Sequence, residues 1–298
     1  MNLLNPIIKA TLPLVPKPIV RRIAKPYIAG ETLPELVSVV QELNNDRFIV
    51  ATSILGEFVT EVKDAEEAVQ QYQEVLTEIK DLKLESNIHI KLSHFGLKLD
   101  KEVCYNNLIN ILKTAADCGN FVRIDMEDST CTDDTLAIYK RAREKFENVG
   151  VVIQACMKRS NEDIDSLKAM KANVRICKGI YIEPPEIAYN DREIVRQNYS
   201  TLLKDLLGAG CYVGIATHDK WLVDDAFQTI EELALDHSQY EFQMLYGVDP
   251  QLRQMIRDAG HRMRVAVPFG PSWYPYSIRR LRKNPTVARY VLQALFKK

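Results

Sequence analysis

The 298-residue sequence lacks the compact motifs that mark several large classes of enzymes. It contains no CxxC pair, no HExxH motif and no GxSxG motif, and no GxGxxG motif follows its first apolar run. These absences argue against a dedicated zinc site, a serine hydrolase, and an open dinucleotide-binding sheet. We therefore expect no metal, and we expect that any cofactor is held by another arrangement.

The sequence also lacks an excess of charge of either sign. Lysine and arginine total 39 against 40 for aspartate and glutamate, so the formal net charge is -1. Such a chain has no dominant field for polyanions, and we expect no nucleic acid partner. Its six cysteines are scattered, several of them inside apolar runs where a thiol behaves as a small hydrophobe. This usage is typical of a reducing, cytoplasmic compartment.

The N-terminal segment, MNLLNPIIKATLPLVPKPIVRRIAK, is apolar and basic but has no long uninterrupted apolar run. Pro6, Pro13, Pro16 and Pro18 interrupt it, and no small-residue cleavage site follows. A signal peptide and a membrane-spanning helix therefore both fit badly. Two interpretations stay open: a peripheral contact with the inner face of a membrane, or a helical arm packed on the main domain.

The chain does contain one repeated pattern: a short apolar run ends in a polar residue, and a long amphipathic stretch follows. The predicted strands cover residues 48–55, 88–92, 121–125, 151–156, 174–178, 211–217, 241–245 and 263–267. Eight such units in about 250 residues have the size and order of a (β/α)8 barrel, with a doubly wound sheet as the alternative.

We therefore predict an α/β fold, a TIM-like (β/α)8 barrel with extra N-terminal helices. Its predicted parts are a helical arm, residues 1–46, and a barrel, residues 47–298. In the arm, Thr32 and Glu35 have the spacing of a capping box at the start of a helix. Near the end of the helix before the sixth strand, Gly208 and Gly210 suit the C-cap.

The loops after the strands of such a barrel build its active face. Polar and charged residues gather at or near the predicted strand ends, together with one leucine: Glu57, Lys91, Asp125, Gln154, Arg175, Lys178, Thr217, His218 and Leu245. The eighth strand leads into VPFGPSWYPYSIRRL, in which Arg279 and Arg280 beside aromatic rings suit a small organic anion. The alternative is that these two arginines belong to a solvated basic face or a weak nucleic-acid patch.

Individual residues of this set have structural interpretations as well. Lys91 has apolar neighbours and needs an anionic partner, which is either a ligand or a structural ion pair with Asp125 or Glu127. Asp125 itself is equally suited to cap a helix or to pair with an arginine. Likewise, His218 can be a turn histidine and Asp219 the cap of the next helix. Each residue taken alone is therefore weak evidence for an active site.

Taken in order, eight segments resemble a known family. LGEFVT, IHIKLSHFG, FVRIDMEDS, IQACMKRS, VRICKGIYIEPPE, GIATHD, FQMLYGV and VPFGPSWYPYSIRRL are similar to the flavin-dependent proline dehydrogenase family, in its short, single-activity bacterial form. The likeness runs from about Tyr27 to Pro285. It implies a distorted barrel that binds FAD noncovalently across the C-terminal ends of its strands.

The resemblance also implies roles for individual residues. Lys91, Arg279 and Arg280 would hold the carboxylate of proline, with Asp125 beside them, Leu245 against the pyrrolidine ring, and Glu57 paired with Arg279. The residues that would contact FAD are Gln154, Arg175, Lys178, Gly179, Tyr181, Thr217 and His218, with Arg175 close to the flavin N5. The implied reaction is oxidation of proline to 1-pyrroline-5-carboxylate, the first step of proline catabolism, with electrons passed to a membrane quinone.

Two positions depart from the family pattern. Ala266 occupies the position where the proline enzymes carry a tyrosine against the substrate ring, so hydroxyproline or another cyclic amino acid is an alternative substrate. Lys283 stands where an acid near the cofactor is expected, which puts the FAD contact there in doubt. A non-catalytic barrel that binds cyclic amino acids is a further alternative.

Overall fold

Eight parallel strands close into a barrel in chain order. The structure is a computed structural model that describes residues 17–283, without the side chains of Ile19, Ile23 and residues 279–283. The strands are β1 Ile49–Ile54, β2 Ser86–Ile90, β3 Val122–Ile124, β4 Val149–Gln154, β5 Asn173–Cys177, β6 Tyr212–Ala216, β7 Tyr240–Leu245 and β8 Met263–Phe269. The predicted barrel is therefore confirmed, and the doubly wound alternative is wrong.

Helices connect the strands and form the outer layer. They are α1 Lys17–Ala24, α2 Leu33–Asn45, α3 Val62–Asp81, α4 Lys101–Asp117, α5 Ser129–Arg143, α6 Ser160–Ala169, α7 Arg192–Gly208, α8 Lys220–Glu232, α9 Pro250–Asp258 and α10 Trp273–Lys283. A short 3₁₀ helix, Leu92–Phe95, follows β2. Each strand boundary lies within two residues of the predicted one. One consequence is that Lys91, predicted inside the second strand, instead follows it directly.

The strands bury two different kinds of surface. Alternate residues such as Ile88 and Ile90 of β2 are fully buried in the apolar cluster between the strands and the helices. The residues between them point into the barrel, where Arg264 of β8 pairs with Glu241 of β7 and Arg175 of β5 binds His89 of β2. Since successive side chains of a strand face opposite ways, the apolar core and the polar interior follow from one alternating pattern.

The described part of the N-terminal arm packs on the barrel. Val20, Ala24 and Ile28 are buried, and the last two cluster with Leu55 beside Trp273 of α10. This supports the packed-arm interpretation for residues 17–46, whereas residues 1–16 lie outside the described part. Among the described residues, no helix is both long enough and apolar enough to cross a membrane.

Capping interactions mark the start of α2 and the end of α7. The carboxylate of Glu35 accepts a hydrogen bond from the backbone N–H of Thr32 at 3.0 Å, as a capping box requires. Helix α7 ends at Gly208, and Gly210 follows with a φ of 78°, which glycine adopts at little cost. The capping-box prediction is therefore confirmed, and so is the role of Gly210 just beyond the helix end, whereas Gly208 lies inside the helix and Ala209 is the C-cap residue.

Candidate active site

The C-terminal ends of the strands bring most of the predicted site residues to one pole. Lys91, Asp125, Lys178, Thr217 and His218 directly follow their strands or lie within two residues of the strand ends, Gln154 and Leu245 end theirs, and Arg175 and Ala266 lie inside β5 and β8. Parallel strands in register place these positions on the same rim. The predicted gathering is therefore present, and the contacts within it decide what each residue can do.

A partly buried ionic network at this pole is centred on Arg175. Its Nη2 lies 3.1 Å from Oδ1 of Asp125, and its Nη1 donates to Nδ1 of His89 at 2.9 Å. Asp125 is therefore the partner of an arginine, one of the two structural roles considered for it. Because Arg175 spans three strands of the barrel, it fixes the relative positions of β2, β3 and β5 at the rim.

His89 is a neutral imidazole in this network. Burial first, and then the charges of Arg175, Arg123, Arg264 and Lys91, hold the pKa of His89 well below its usual range. Arginine can only donate, so Nδ1 of His89 is the acceptor and its proton resides on Nε2. The site therefore contains a fixed tautomer and no acid that titrates near neutrality at this position.

Lys91 is not used in the structural ion pair that was considered for it. Among residues 17–283, no carboxylate oxygen lies within 4.0 Å of its ammonium group, since Asp125 pairs with Arg175 and Glu127 is bonded to Ser93. Burial, followed by the charge of Lys91, lowers the pKa of nearby His94 to about 4. Lys91 is thus a half-buried cation at the mouth of the barrel whose charge is not matched by a protein carboxylate there.

Glu127 ties two of the strand-end loops together. It is fully buried, and its carboxylate accepts from the backbone N–H of Ser93 at 2.9 Å and from the Ser93 hydroxyl. Burial raises the pKa of Glu127, which the Ser93 bonds and the charge of Lys91 partly offset. Its backbone carbonyl accepts from Nε2 of Gln154 at 2.8 Å, so the side-chain nitrogen of Gln154 is already bound within the protein.

A second ionic cluster lies where β5 and β6 end. The Asp219 carboxylate accepts from Nζ of Lys178 at 2.8 Å and from Nη2 and Nε of Arg196 at 2.8 and 2.9 Å. Arg192 approaches it at 3.5 Å, and exposed Glu193 lies 3.3 Å from Arg196. Three basic side chains thus converge on one nearly buried carboxylate, leaving an excess of positive charge at the surface of this cluster.

The pH dependence of this cluster follows from the sign of the shift. Hydrogen bonds from Arg196, and then from Lys178, hold the pKa of Asp219 well below its usual range against the opposing effect of burial. The resulting stabilisation is fully present above the unfolded-state pKa, near 3.9, and is lost progressively as pH falls from there through the lower folded-state pKa. We expect Asp219→Asn to lower the free energy of unfolding by about 2 kcal/mol at pH 5 and pH 7 alike, with a smaller difference below about pH 4.

Urea denaturation at pH 7, 5 and 3.5 measures this difference. The matched control is Asp224→Asn on the same helix, because Asp224 forms an exposed pair with Lys220 and its loss should cost less than about 1 kcal/mol. An equal loss for the two variants would contradict the cluster's stabilising role.

Gly179 allows the chain to pass close to two site residues. Its φ is 98°, and an added Cβ would overlap Sγ of Cys156 and lie 3.1 Å from Oε1 of Gln154. Gly210 has a similar φ of 78° but open space around it. We expect Gly179→Ala to lower the free energy of unfolding by at least about 1 kcal/mol more than Gly210→Ala, since only the former adds steric overlap to backbone strain. Thermal or urea unfolding of both variants checks this, and equal losses would contradict it.

Thr217 and His218 link neighbouring strand ends. The hydroxyl oxygen of Thr217 accepts from the backbone N–H of Asp219 at 3.1 Å, and Nε2 of His218 accepts from the backbone N–H of Leu245 at 3.2 Å. His218 is therefore bound to the residue that ends β7, beyond the turn role considered for it. Asp219 caps α8 through Trp221, as considered, and also holds the basic cluster.

The residues predicted to flank a substrate ring are register neighbours. Leu245 of β7 pairs with Ala266 of β8, and Ala266 pairs with Ala51 of β1. Arg264 and Ala266 are two residues apart on one strand, so Ala266 also faces the barrel interior. Ala266 and Ala51 thus place two small side chains, and no aromatic ring, at these two register positions.

Glu57 lies in the loop after β1, next to the start of α10. Glu57 and Pro275 line one cavity of about 450 Å³ together with His94. The backbones of Arg279 and Arg280 belong to α10, but their side chains, and that of Lys283, lie outside the described residues. The structure therefore locates the backbone of the two arginines predicted to hold the carboxylate, but not their side chains. The Glu57–Arg279 pair stays a prediction.

The loop after β5 carries two exposed apolar side chains over this pole. Ile180 and Ile182 are 69% and 96% exposed, whereas Tyr181 between them is half-buried. Burial first, and then the charges of Glu127 and Glu57, raises the pKa of the Tyr181 hydroxyl. Tyr181 therefore stays protonated and lies near the carboxylates of the strand-end loops, in the region where the resemblance places FAD.

Several site residues did not emerge from the sequence. His89, Arg192 and Arg196 take part in the two ionic networks, yet none of them was singled out beforehand. The alternation Asn87, His89, Lys91 along one strand would have identified His89 as an inward-facing residue. In the same way, the four-residue spacing of the two arginines places both on one face at the start of α7.

Comparison with known proteins agrees with this geometry. The family model described as proline dehydrogenase matches residues 36–292. The sequence is 34% identical over 275 residues to proline dehydrogenase 1 of Bacillus subtilis subsp. natto, covering 92% of this chain and 91% of that protein. It is 32% identical over 302 residues to the proline dehydrogenase of Deinococcus radiodurans, covering 97% of both chains.

Solved structures give the same fold. The inactivated proline utilization A of Bdellovibrio bacteriovorus superposes with a TM-score of 0.81 at 24% identity, over 87% of this chain and 32% of that chain. Proline utilization A of Corynebacterium freiburgense superposes with a TM-score of 0.78 at 19% identity, over 97% of this chain and 34% of that chain. This chain thus spans about a third of those longer chains. The family match and the two bacterial relatives together show that the chain belongs to the proline dehydrogenase family.

Proposed function

We propose that this protein oxidises L-proline in a flavin-dependent reaction at the C-terminal pole of its barrel. The observation that carries the proposal is the arrangement at that pole. Partly buried Arg175 is held by Asp125 and His89, and Lys91 stands nearby with no carboxylate within 4.0 Å among the described residues. A substrate carboxylate would supply the charge that Lys91 lacks. Membership of the proline dehydrogenase family favours proline over other small anions as the ligand.

The substrate would be held by its carboxylate and its ring. In the proposed arrangement, Lys91 binds the carboxylate together with Arg279 and Arg280, which approach on α10. Leu245 and Ala266 flank the pyrrolidine ring at neighbouring register positions. Several charge-assisted bonds fix one orientation of the substrate, and reactions that need alignment of two partners gain most from such fixing.

The residues present fit FAD by two features. Gly179 brings backbone without a side chain close to Gln154, and the basic cluster of Lys178, Arg192 and Arg196 suits the negative pyrophosphate. When bound, FAD would accept hydride from C5 of proline at N5 and pass the electrons to a quinone, leaving 1-pyrroline-5-carboxylate. The other proposed FAD contacts are Tyr181, Thr217 and His218.

The protein's own residues would act by position and charge rather than by proton transfer. Arg175 engages both Nδ1 of His89 and the carboxylate of Asp125, so neither group is free to take a proton from the substrate. Arg175 would place a fixed positive charge beside the reacting atoms, where it costs no reorganisation. Substrate is accordingly expected to react as the neutral amine, which it reaches by losing a proton to solvent.

We further propose that residues 1–46 form an arm and residues 47–298 the barrel domain. A quinone acceptor would lie in a membrane, and the arm would allow a peripheral contact with its cytoplasmic face. What supports this is the basic and apolar composition of the first residues.

Spectroscopy tests the proposed reaction directly. The purified protein should be yellow, and its flavin absorbance should bleach when L-proline is added without oxygen. A colourless protein that FAD does not reconstitute would overturn the proposal. Saturable proline binding without bleaching would instead favour a non-catalytic barrel that binds cyclic amino acids.

A second candidate substrate is a ring-substituted proline such as hydroxyproline. The observation that favours it is Ala266, an inward-facing small residue beside Leu245. We expect Ala266→Tyr to lower kcat/KM for trans-4-hydroxyproline relative to L-proline by about tenfold or more, because the larger side chain fills the space next to the ring. Anaerobic flavin reduction with both substrates measures the ratio, and an unchanged ratio would remove Ala266 from the specificity pocket.

A further inference from the structure

The end of the barrel opposite the candidate active site contains a separate polar cavity of about 480 Å³. Its floor is formed by side chains at the N-terminal ends of the strands, and its rim by the loops that lead into them. The floor includes Asn87, Arg123, Tyr212, Glu241 and Arg264, and the rim includes Lys80, Lys83, Glu85 and Arg262. Its volume is in the range of small-molecule sites.

Arg123 is a buried cation without a carboxylate partner. Its side chain is 1% exposed, and it donates to the backbone oxygens of Val151 and Asn173 at 3.1 and 2.7 Å and to the Asn173 side-chain oxygen. Among the described residues, no carboxylate oxygen lies within 4.0 Å of its guanidinium. Burial, followed by the charge of Arg175, lowers the pKa of Arg123 to about 10, so it remains charged at neutral pH. Such a buried charge normally has a counter-charge.

Glu241, the nearest acid on the floor, is already engaged. Its carboxylate accepts from Nε and Nη2 of Arg264 at 2.6 and 2.9 Å. It also accepts from the Tyr212 hydroxyl at 2.9 Å and from Nε2 of Gln243 at 2.6 Å. The four bonds satisfy this carboxylate, so it makes no direct ion pair with Arg123 and acts on it only through its charge.

The rest of the lining points to an anion as well. Asn87 is buried at the cavity wall, and its Oδ1, which can only accept, has no hydrogen-bond partner among the described residues; the side-chain NH2 is the group that could donate to an anion. The lining contains five cationic side chains, three of them on the exposed rim, against two carboxylates. The cavity therefore carries three more positive than negative groups in a chain whose total charge is close to zero.

We propose that this cavity binds a small multivalent oxyanion, a metabolite-sized di- or tricarboxylate or phosphate compound. Its negative groups would pair with Lys83 and Arg262 on the rim and neutralise the potential of Arg123 on the floor. The asparagine amide of Asn87 would donate to one of its oxygens. This site is distinct from the proposed proline site, since its lining residues lie at or before the N-terminal ends of the strands, whereas the proline site is proposed at their C-terminal ends.

Calorimetric titration of the full chain at constant ionic strength tests the proposal, with inorganic phosphate, malonate and citrate as probes. We expect saturable binding of at least one probe, which excess L-proline does not displace. Preference for phosphate or for the carboxylates tells which oxyanion the site selects. The double variant Lys83→Gln/Arg262→Gln should raise the dissociation constant about tenfold, because it removes two charged contacts.

The matched control is Lys63→Gln, because Lys63 lies near the start of α3 at the opposite pole, whereas Lys83 follows the end of the same helix. The affinity of the Lys63→Gln variant for the probe should equal that of the unchanged protein. No saturable binding of any probe, displacement by proline, or equal affinity in the double variant would each overturn the proposal. Since both rim residues are exposed, the double variant should fold normally.

Discussion

Replacing Arg175 with methionine is expected to lower kcat for proline oxidation by about 100- to 1000-fold. Arg175 touches both Asp125 and His89, and it lies where the flavin N5 region is proposed. A fixed positive charge at that position would stabilise the negative charge that a bound flavin gains on reduction. Methionine keeps much of the side-chain volume but removes the charge and both contacts, so the loss is expected in the reduction step.

Anaerobic stopped-flow measurement of flavin bleaching gives the rate of that step, and the flavin reduction potential gives an independent readout. The potential should fall in the variant, because the reduced state loses its positive neighbour. A merely structural role would lower stability and leave the potential unchanged. A reduction rate within about threefold of the unchanged enzyme would show that Arg175 does not act on the reacting atoms.

Arg141→Met is the matched control. Arg141 lies on α5 in the outer layer, where it pairs with Glu102 at 2.6 Å and stacks on Tyr105. Its side chain is 48% exposed, so its loss should cost less than about 1 kcal/mol of stability and leave both the rate and the potential unchanged. Comparing the two variants separates the general effect of replacing an arginine from the specific effect of replacing Arg175.

The barrel could be predicted because its strands and helices alternate in a fixed order along the chain. All eight strands lie within two residues of their predicted bounds, and the polar residues at their ends lie on one rim. The larger boundary shifts have a physical cause. A strand ends where its hydrogen bonds to both neighbours end, and this depends on register with distant segments. Lys91 was therefore placed in β2 although it follows that strand.

The polar interior of the barrel was not predicted, although the sequence carries its pattern. In the run NIHIKL, the isoleucines face the helices while Asn87, His89 and Lys91 face inward. When the segment is taken as one apolar run, it predicts a strand but does not show which residues face the helices and which face the barrel interior. Because both faces of a barrel strand are covered, the run looks uniformly buried unless the period of two is counted.

Which charges pair with each other could not be predicted. Lys91 was weighed as a partner of Asp125, but closure of the barrel brings Arg175 to that carboxylate instead. Similarly, Arg196 reaches Asp219 across 23 residues of sequence, and only the packing of α7 beside β6 makes this contact. Ionic contacts depend on distances of a few ångströms between segments that no local pattern relates.

Replacing Lys91 with methionine is expected to raise KM for proline by about 100-fold while FAD remains bound. A charge-assisted hydrogen bond to a carboxylate contributes roughly 1.5–3 kcal/mol, which corresponds to a 10- to 150-fold change in affinity. Lys91 has no carboxylate within 4.0 Å among the described residues, so its removal leaves no protein acid unpaired there. The expected loss is therefore one of substrate affinity and not of stability.

Lys98→Met provides the matched control, because Lys98 lies seven residues further along the same loop and donates only to Thr130, at 2.7 and 2.9 Å. It should leave KM within about twofold of the unchanged enzyme. Steady-state kinetics over a range of proline concentrations, with flavin content measured by absorbance, distinguishes the two lysines. If KM rises equally in both variants, the loop as a whole and not the Lys91 ammonium sets the affinity. If KM is unchanged in Lys91→Met, the proline carboxylate is held by α10 alone, since Lys91 would then contribute nothing to its binding.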